Sequence, residues 1–235
     1  YETLRPGAFK ADLFRYCVLL IHGGVYADVD IMLESSLDLS IGPDIGFMVP
    51  QDEPGTKVNR RMCLWNGFIA AAPGHPFLAK TIETVVNNIR NRFTSVDTDN
   101  LFCPNPELSV LHAFDTLFTA GPCILGAIVN KVIGRYGQTS FEAGEIDLWE
   151  TSKQHALEKG MEFVIGVDDK PSKRIPGRVV ILSQDKEDMG SHRFTFVEKN
   201  LVVAATDLPD SDDRANQEKA PEHYSKTHVK AGIYG

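Results

Sequence analysis

The apolar positions of "RPGAFKADLFRYCVLLIHGG" fall at Phe9, Leu13, Cys17 and Leu20. Spacings of three and four predict a helix that buries one stripe. Pro6 suits its first turn, where a backbone N–H has no partner anyway, and Gly23 suits the left-handed cap that ends it. Asp12 and Arg15, three positions apart, project together from a different stripe of the same helix. After the two glycines the period changes to two, and "VYADVD" predicts a short strand that sends Asp28 and Asp30 to the same side. "IGFMVP" and "GFIAAAP" predict two more strands. "HPFLAKTIETVVNNIRNRF" predicts an amphipathic helix with Phe77, Ile82, Val85, Ile89 and Phe93 inward.

"PELSVLHAFDTLF" and "PCILGAIVNKVIGRY" predict two helices meeting at a corner, because Gly121 and Pro122 punctuate rather than continue a helix. The last third carries strand signals in "EFVIGV", "RVVIL", "RFTFV" and "LVVAAT", with "EKN" turning the final two into a hairpin. Residues 207–222 are polar and acidic, the composition of a surface loop, and 223–235 form a tail. Strands and helices are mixed throughout without an internal repeat, which predicts a single α/β domain over residues 1–235.

A chain of 235 residues with 43% hydrophobic composition has enough apolar side chains for one substantial core. Its 24 Lys and Arg against 32 Asp and Glu give a net charge of -8, which opposes nonspecific attraction to nucleic acid or anionic membranes. An anionic ligand must therefore be held by a local device. The four cysteines, Cys17, Cys63, Cys103 and Cys123, form no CxxC pair, which argues against a structural zinc site and leaves a disulfide open. No apolar run approaches the ~20 residues that span a bilayer.

Asp28 and Asp30 are the candidate local device. Two carboxylates set between an apolar approach and the apolar exit "IML" offer hard oxygen ligands to a divalent cation, which in turn holds phosphates. An isolated D-x-D is otherwise an ordinary turn. An EF-hand is excluded, since Met32 and Leu33 stand where its third ligand and glycine belong. Asn66, after Trp65 and before a strand, is either a turn residue or an amide aimed at a sugar. His75, between Gly74 and Pro76 in a helix-entry turn, reads as structural.

"KADLFRYCVLLIHGGVYADVDI", with "NGFIAAAPGHPFL" and "TAGP" following at 66–78 and 119–122, resembles the DXD glycosyltransferases of family 32. These are relatives of fungal initiating mannosyltransferases and, more distantly, of clostridial glucosylating toxins. The resemblance spans residues 5–135 well and the rest weakly. It implies a GT-A fold, a Rossmann-like mixed sheet flanked by helices, with the first nucleotide-binding units expected before Tyr1 and any membrane anchor with them.

By that resemblance Asp30 binds Mn²⁺ directly, with Mg²⁺ as the alternative. Asp28 contacts the ribose or donor sugar and reaches the metal through water, while Asp12 and Arg15 grip the donor sugar and its phosphate side. Tyr26 shapes the pocket wall, and Asn66 joins Asp28 and Asp30 as a catalytic candidate. A C-terminal His-x-x-x-Gly-x-aromatic setting makes His228 a third metal ligand, with Tyr234 in place of the expected Trp and His223 as a rival. The implied function is a metal-dependent, retaining transfer of a hexose from a UDP- or GDP-sugar to a glycan or glycolipid hydroxyl, in the Golgi lumen. The partners are that donor and that acceptor.

Two other readings compete. One is an inactive pseudoenzyme that binds glycans or nucleotide sugars. The other is an aspartyl-phosphate hydrolase using "VYADVDIM" and the late pair Asp168 and Asp169. The hydrolase reading conflicts with chain order, because its strand-end hydroxyl, Ser183, comes after that pair.

Overall fold

The computed structural model describes residues 7–52, 62–91, 115–137, 139–148, 175–186 and 192–206. The first helix, α1, is Gly7–His22. It ends as predicted, with Gly23 at φ +63° donating its N–H to the Leu19 carbonyl at 2.8 Å. A Cβ at Gly23 would meet Pro73 Cδ at 2.6 Å, so conformation and space both call for glycine there. Helices α2 (Leu37–Ser40), α3 (Pro76–Asn91), α4 (Asp115–Thr119) and α5 (Pro122–Val132) follow. Pro122 takes the first turn of α5, after Gly121 as its cap, which is the predicted corner.

The strands are β1 (Gly24–Ala27), β2 (Ile31–Leu33), β3 (Ile45–Pro50), β4 (Phe68–Ala71), β5 (Gly144–Glu145), β6 (Arg178–Lys186), β7 (His192–Phe196) and β8 (Leu201–Thr206). They form one mixed sheet in the order β1-β4-β3-β6-β7-β8-β2, with β5 beside β6. Only β3 and β6 pair in parallel; the other described pairs are antiparallel. β6 bridges two halves, pairing with β3 through Arg178–Leu182 and with β7 through Ser183–Lys186.

One prediction is corrected here. "VYADVD" is not a single strand: β1 stops at Ala27, Val29 and Asp30 lie in a turn, and Ile31 donates its N–H to the Asp28 carbonyl at 3.1 Å. The segment breaks because it changes partners, β1 pairing with β4 and β2 with β8. A period of two records the alternation but not the switch, so Asp28 and Asp30 are not related by strand geometry. The ends of the sheet path are thus joined by three residues, Asp28-Val29-Asp30. That connection spans at most ~15 Å, so the sheet curls back on itself at this turn.

The core lies on both faces of the sheet. On one side Phe47, Val49, Ile69, Val179 and Ile181 pack against Tyr16, Leu19, Phe77, Leu78, Leu125 and Val129 of α1, α3 and α5. On the other, Met48, Phe68, Val180, Leu182 and Phe194 are covered in part by Leu37 and Ile41, at and just after α2. Both faces of β3 are buried, which explains its unbroken apolar run. This is the mixed sheet flanked by helices expected from sequence. Cys63 and Cys123 form a disulfide, and Cys17 is free. The expected strand "EFVIGV", Asp168 and Asp169, Phe93, the loop 207–222 and the tail with His223 and His228 lie outside the described residues.

Candidate functional site

α1 buries a second stripe besides the apolar one: Asp12, Arg15, Tyr16 and Leu19 are all buried. Asp12 and Arg15 are each only 6% exposed, so the pair is no solvated surface contact. Arg15 Nη2 lies 3.3 Å from Asp12 Oδ1. Its Nη1 lies 3.3 Å from Asp28 Oδ2 and donates to the Asn66 backbone carbonyl at 2.7 Å, while Nε donates to the Ala11 carbonyl at 3.3 Å. The guanidinium carbon sits 4.7 Å from the centre of the Tyr26 ring, a cation–π distance. Burial works against the charge on Arg15, but Asp12 and Asp28 outweigh it and raise its pKa.

Asp28 directly follows β1, and its N–H continues the ladder to the Gly67 carbonyl at 2.8 Å. Its Oδ1 accepts the Tyr26 hydroxyl at 2.8 Å while Oδ2 faces Arg15, so both oxygens are oriented by α1 and β1. Burial and that donated hydrogen bond push the Tyr26 phenol up to about 12. Gly67 makes room for this: a Cβ there would lie 2.7 Å from Asp28 Oδ2 and 3.2 Å from the Trp65 ring. Trp65 in turn packs on Phe194, with ring centres 4.4 Å apart.

Asn66 is only 4% exposed and its amide turns inward. Nδ2 donates to Asp12 Oδ1 at 2.9 Å and to the Tyr16 hydroxyl at 2.8 Å. Burial pushes the Asp12 carboxyl up to about 6, against the lowering effects of Arg15 and Asn66. Tyr16 shifts upward as well, by burial first.

Of the residues singled out by sequence, Asp12, Arg15, Tyr26, Asp28 and Asn66 therefore meet in one network at the carboxyl end of β1. Asp30 stands apart from it. It is exposed in the turn, and no hydrogen bond or ion pair joins its side chain to a described residue. His75 is fully buried among Phe47 and Phe77, with ring centres 5.1 Å and 4.6 Å away, as its structural reading requires. Asp52 lies against the Cys63–Cys123 sulfurs, but oxidised sulfurs are not thiolate ligands, so that group is no metal site. Tyr16 and Gly67 were not singled out. Tyr16 stands four positions after Asp12, the spacing that places it on the same stripe, while nothing in the sequence flags Gly67.

Residues 1–47 match the family described as the glycosyltransferase sugar-binding region containing a DXD motif. The chain is similar to the Saccharomyces cerevisiae protein HOC1, with 35% identity over 103 residues that cover 39% of this chain and 26% of HOC1. It is also similar to the initiation-specific alpha-1,6-mannosyltransferase of Candida albicans, 25% identical over 186 residues, covering 72% of this chain and 46% of that protein. A third relative is inositol phosphoceramide mannosyltransferase 1 of Schizosaccharomyces pombe, 33% identical over 89 residues, covering 38% of this chain and 25% of that protein. The chain thus spans about a quarter to a half of the length of these relatives. The helix that carries Asp12 and Arg15, with the Asp28-Val29-Asp30 turn that follows it, lies within the segment that matches the glycosyltransferase sugar-binding region containing a DXD motif.

Proposed function

We propose that this chain is the sugar-binding and catalytic part of a retaining GT-A hexosyltransferase, moving a hexose from a UDP- or GDP-sugar to a hydroxyl of a glycan or glycolipid. The observation that carries this reading is the convergence of Asp12, Arg15, Asn66 and Asp28 at the end of β1, with an exposed Asp30 two positions after Asp28. Buried charges arranged in this way are expensive for folding alone. A hydroxyl-rich donor sugar gives them a use, since carboxylate and guanidinium groups recognise hydroxyls by charge-assisted hydrogen bonds. Two relatives carry mannosyltransferase in their names, which favours mannose as the hexose.

Asp30 would hold a divalent cation, Mn²⁺ or Mg²⁺, with Asp28 beside it. The donor set fits, because these are hard oxygen ligands, the Asp30 carboxylate is exposed and that of Asp28 is already oriented by Tyr26 and Arg15. When bound, the cation supplies positive charge to the diphosphate leaving group. His228 is the third ligand in this reading, with His223 as its rival. Asp28 and Asp12 hold the donor sugar, Arg15 fixes both carboxylates, and Tyr26 walls the site. No enzymic nucleophile is required, because retention follows from attack on the face the phosphate leaves. Disulfides persist in oxidising compartments, so the Cys63–Cys123 bond favours the lumen of the secretory route, in keeping with the Golgi.

The test is Asp30→Ala in the full-length protein, assayed with a panel of UDP- and GDP-hexoses with and without Mn²⁺. Donor hydrolysis and transfer should both be lost, with an unchanged circular dichroism spectrum. Full activity in a folded Asp30→Ala protein excludes this site. A wild-type protein that binds donor but never turns it over identifies a binding protein instead.

A further inference from the structure

Tyr16 is fully enclosed in the main core cluster, where a phenylalanine would fill nearly the same space without a polar atom to satisfy. Burying a hydroxyl is favourable only when its hydrogen bonds are made. The Tyr16 hydroxyl makes two: it accepts Asn66 Nδ2 at 2.8 Å and donates to the Gly121 carbonyl at 3.3 Å. An amide nitrogen carries two hydrogens, and Asn66 directs the other to Asp12 Oδ1 at 2.9 Å. The backbone carbonyl of the same residue accepts a hydrogen bond from Arg15 Nη1 at 2.7 Å. The orientation of Asn66 is therefore tied at one end to the two donor-site charges and at the other to Tyr16.

We infer that Tyr16 is a positioning residue of the donor-sugar site. Its hydroxyl, anchored on the Gly121 carbonyl, fixes the Asn66 amide and through it the Asp12 carboxylate and the Arg15 guanidinium. The inference rests on the proposed reading of Asp12 and Arg15 as donor-sugar ligands. The two partners of the hydroxyl belong to covalently joined segments, for Cys63 lies three residues before Asn66 and Cys123 two residues after Gly121. The Leu64 N–H donates to the Pro122 carbonyl at 3.1 Å across the same junction. Tyr16 thus reads its position from a braced corner rather than from a loose loop. Its phenol also completes a chain of hydrogen bonds from the α4–α5 corner to Arg15, which already touches Asp28.

A misplacement of about 1 Å in a positioning group can cost on the order of 100-fold in rate. The experiment is a double-mutant cycle on the full-length enzyme with Mn²⁺ and the UDP- or GDP-hexose that the wild type turns over best. Tyr16→Phe is expected to raise the donor KM by about 10-fold, with the acceptor KM unchanged and the melting temperature lowered by only a few degrees, the effect of two buried partners losing one hydrogen bond each. A purely structural role would lower kcat through the active fraction and leave both KM values in place. In an Asn66→Ala background, Tyr16→Phe should have no further effect on the donor KM, because the relay is already cut. Additive effects in the cycle, or a donor KM equal to wild type in Tyr16→Phe, overturn the positioning role while leaving the transferase reading intact. An inactive wild-type protein that binds none of these donors overturns both.

Discussion

Asp12 and His75 are buried side chains whose titrations oppose one another. Burial pushes the Asp12 carboxyl from 3.8 up to about 6, so the folded chain takes up its proton more readily than the unfolded one. Stability from that group is fully present below about pH 4 and is lost as the pH rises through about 6. Burial pushes His75 from 6.5 down to about 4, so its contribution is present above about pH 6.5 and is lost as the pH falls through about 4. At ~1.4 kcal/mol per pK unit, each is on the order of 3 kcal/mol and of opposite sign. The two should nearly cancel in the wild-type protein. Asp12→Asn is expected to leave a chain that loses stability on acidification from pH 6.5 to 4, and His75→Phe one that gains it, both read from urea unfolding. Groups such as Asp44, lowered by its hydrogen bond with Arg178, act alike in all three proteins and drop out of the differences. If both variants keep the wild-type pH profile, neither group is buried as described.

At the level of elements, α1, α3 and α5 were legible because each carries apolar residues at helical spacing, with Gly23 after the end of α1 and a proline at the start of α3 and of α5. The hairpin β7–β8 was legible because its turn closes on Asn200, at φ +47°, a residue type that tolerates the left-handed region. The break between β1 and β2 was not legible, since alternation runs unbroken through Asp28 and Asp30 while the hydrogen-bonding partner changes. Nor was the burial of Asn66: an Asn before a strand reads equally as a turn, and only the arrival of α1 turns its amide inward. The approach of α5 to the chain at Met62 is hidden in the same way. Alanine for glycine inside a helix normally stabilises by up to ~1 kcal/mol, yet a Cβ at Gly126 would lie 1.9 Å from the Met62 carbonyl oxygen. Gly126→Ala should therefore destabilise, by about 1–3 kcal/mol as the helix is forced off its neighbour. Gly7→Ala, with nothing within 4 Å, is its control and should be nearly neutral in the same thermal melts. Equal melting temperatures for the two would show that α5 does not pack as closely as described.

For the molecule as a whole, the proposed donor site depends on one curled sheet and one covalent tie. The DXD turn joins the two ends of the sheet path, so Asp28 and Asp30 keep their places only while β1–β4 and β2–β8 are both paired. The disulfide links segments 60 residues apart, which the spacing of four cysteines left undetermined because pairing is decided by the fold. Closing a loop of that length removes about 4 kcal/mol of conformational freedom from the unfolded chain, a large share of the ~5–15 kcal/mol that usually separates folded from unfolded domains. A Cys63→Ala/Cys123→Ala protein should accordingly unfold at lower urea concentration, by about 4 kcal/mol of lost stability. Because the tie brackets Asn66 and Gly121, the loss should also be felt at the proposed donor site. With the disulfide gone, the donor KM should rise more than the acceptor KM, as in Tyr16→Phe, even at temperatures where circular dichroism shows the chain fully folded. A variant that is less stable yet keeps wild-type values of both KM would make the disulfide a staple for folding alone and detach it from the site.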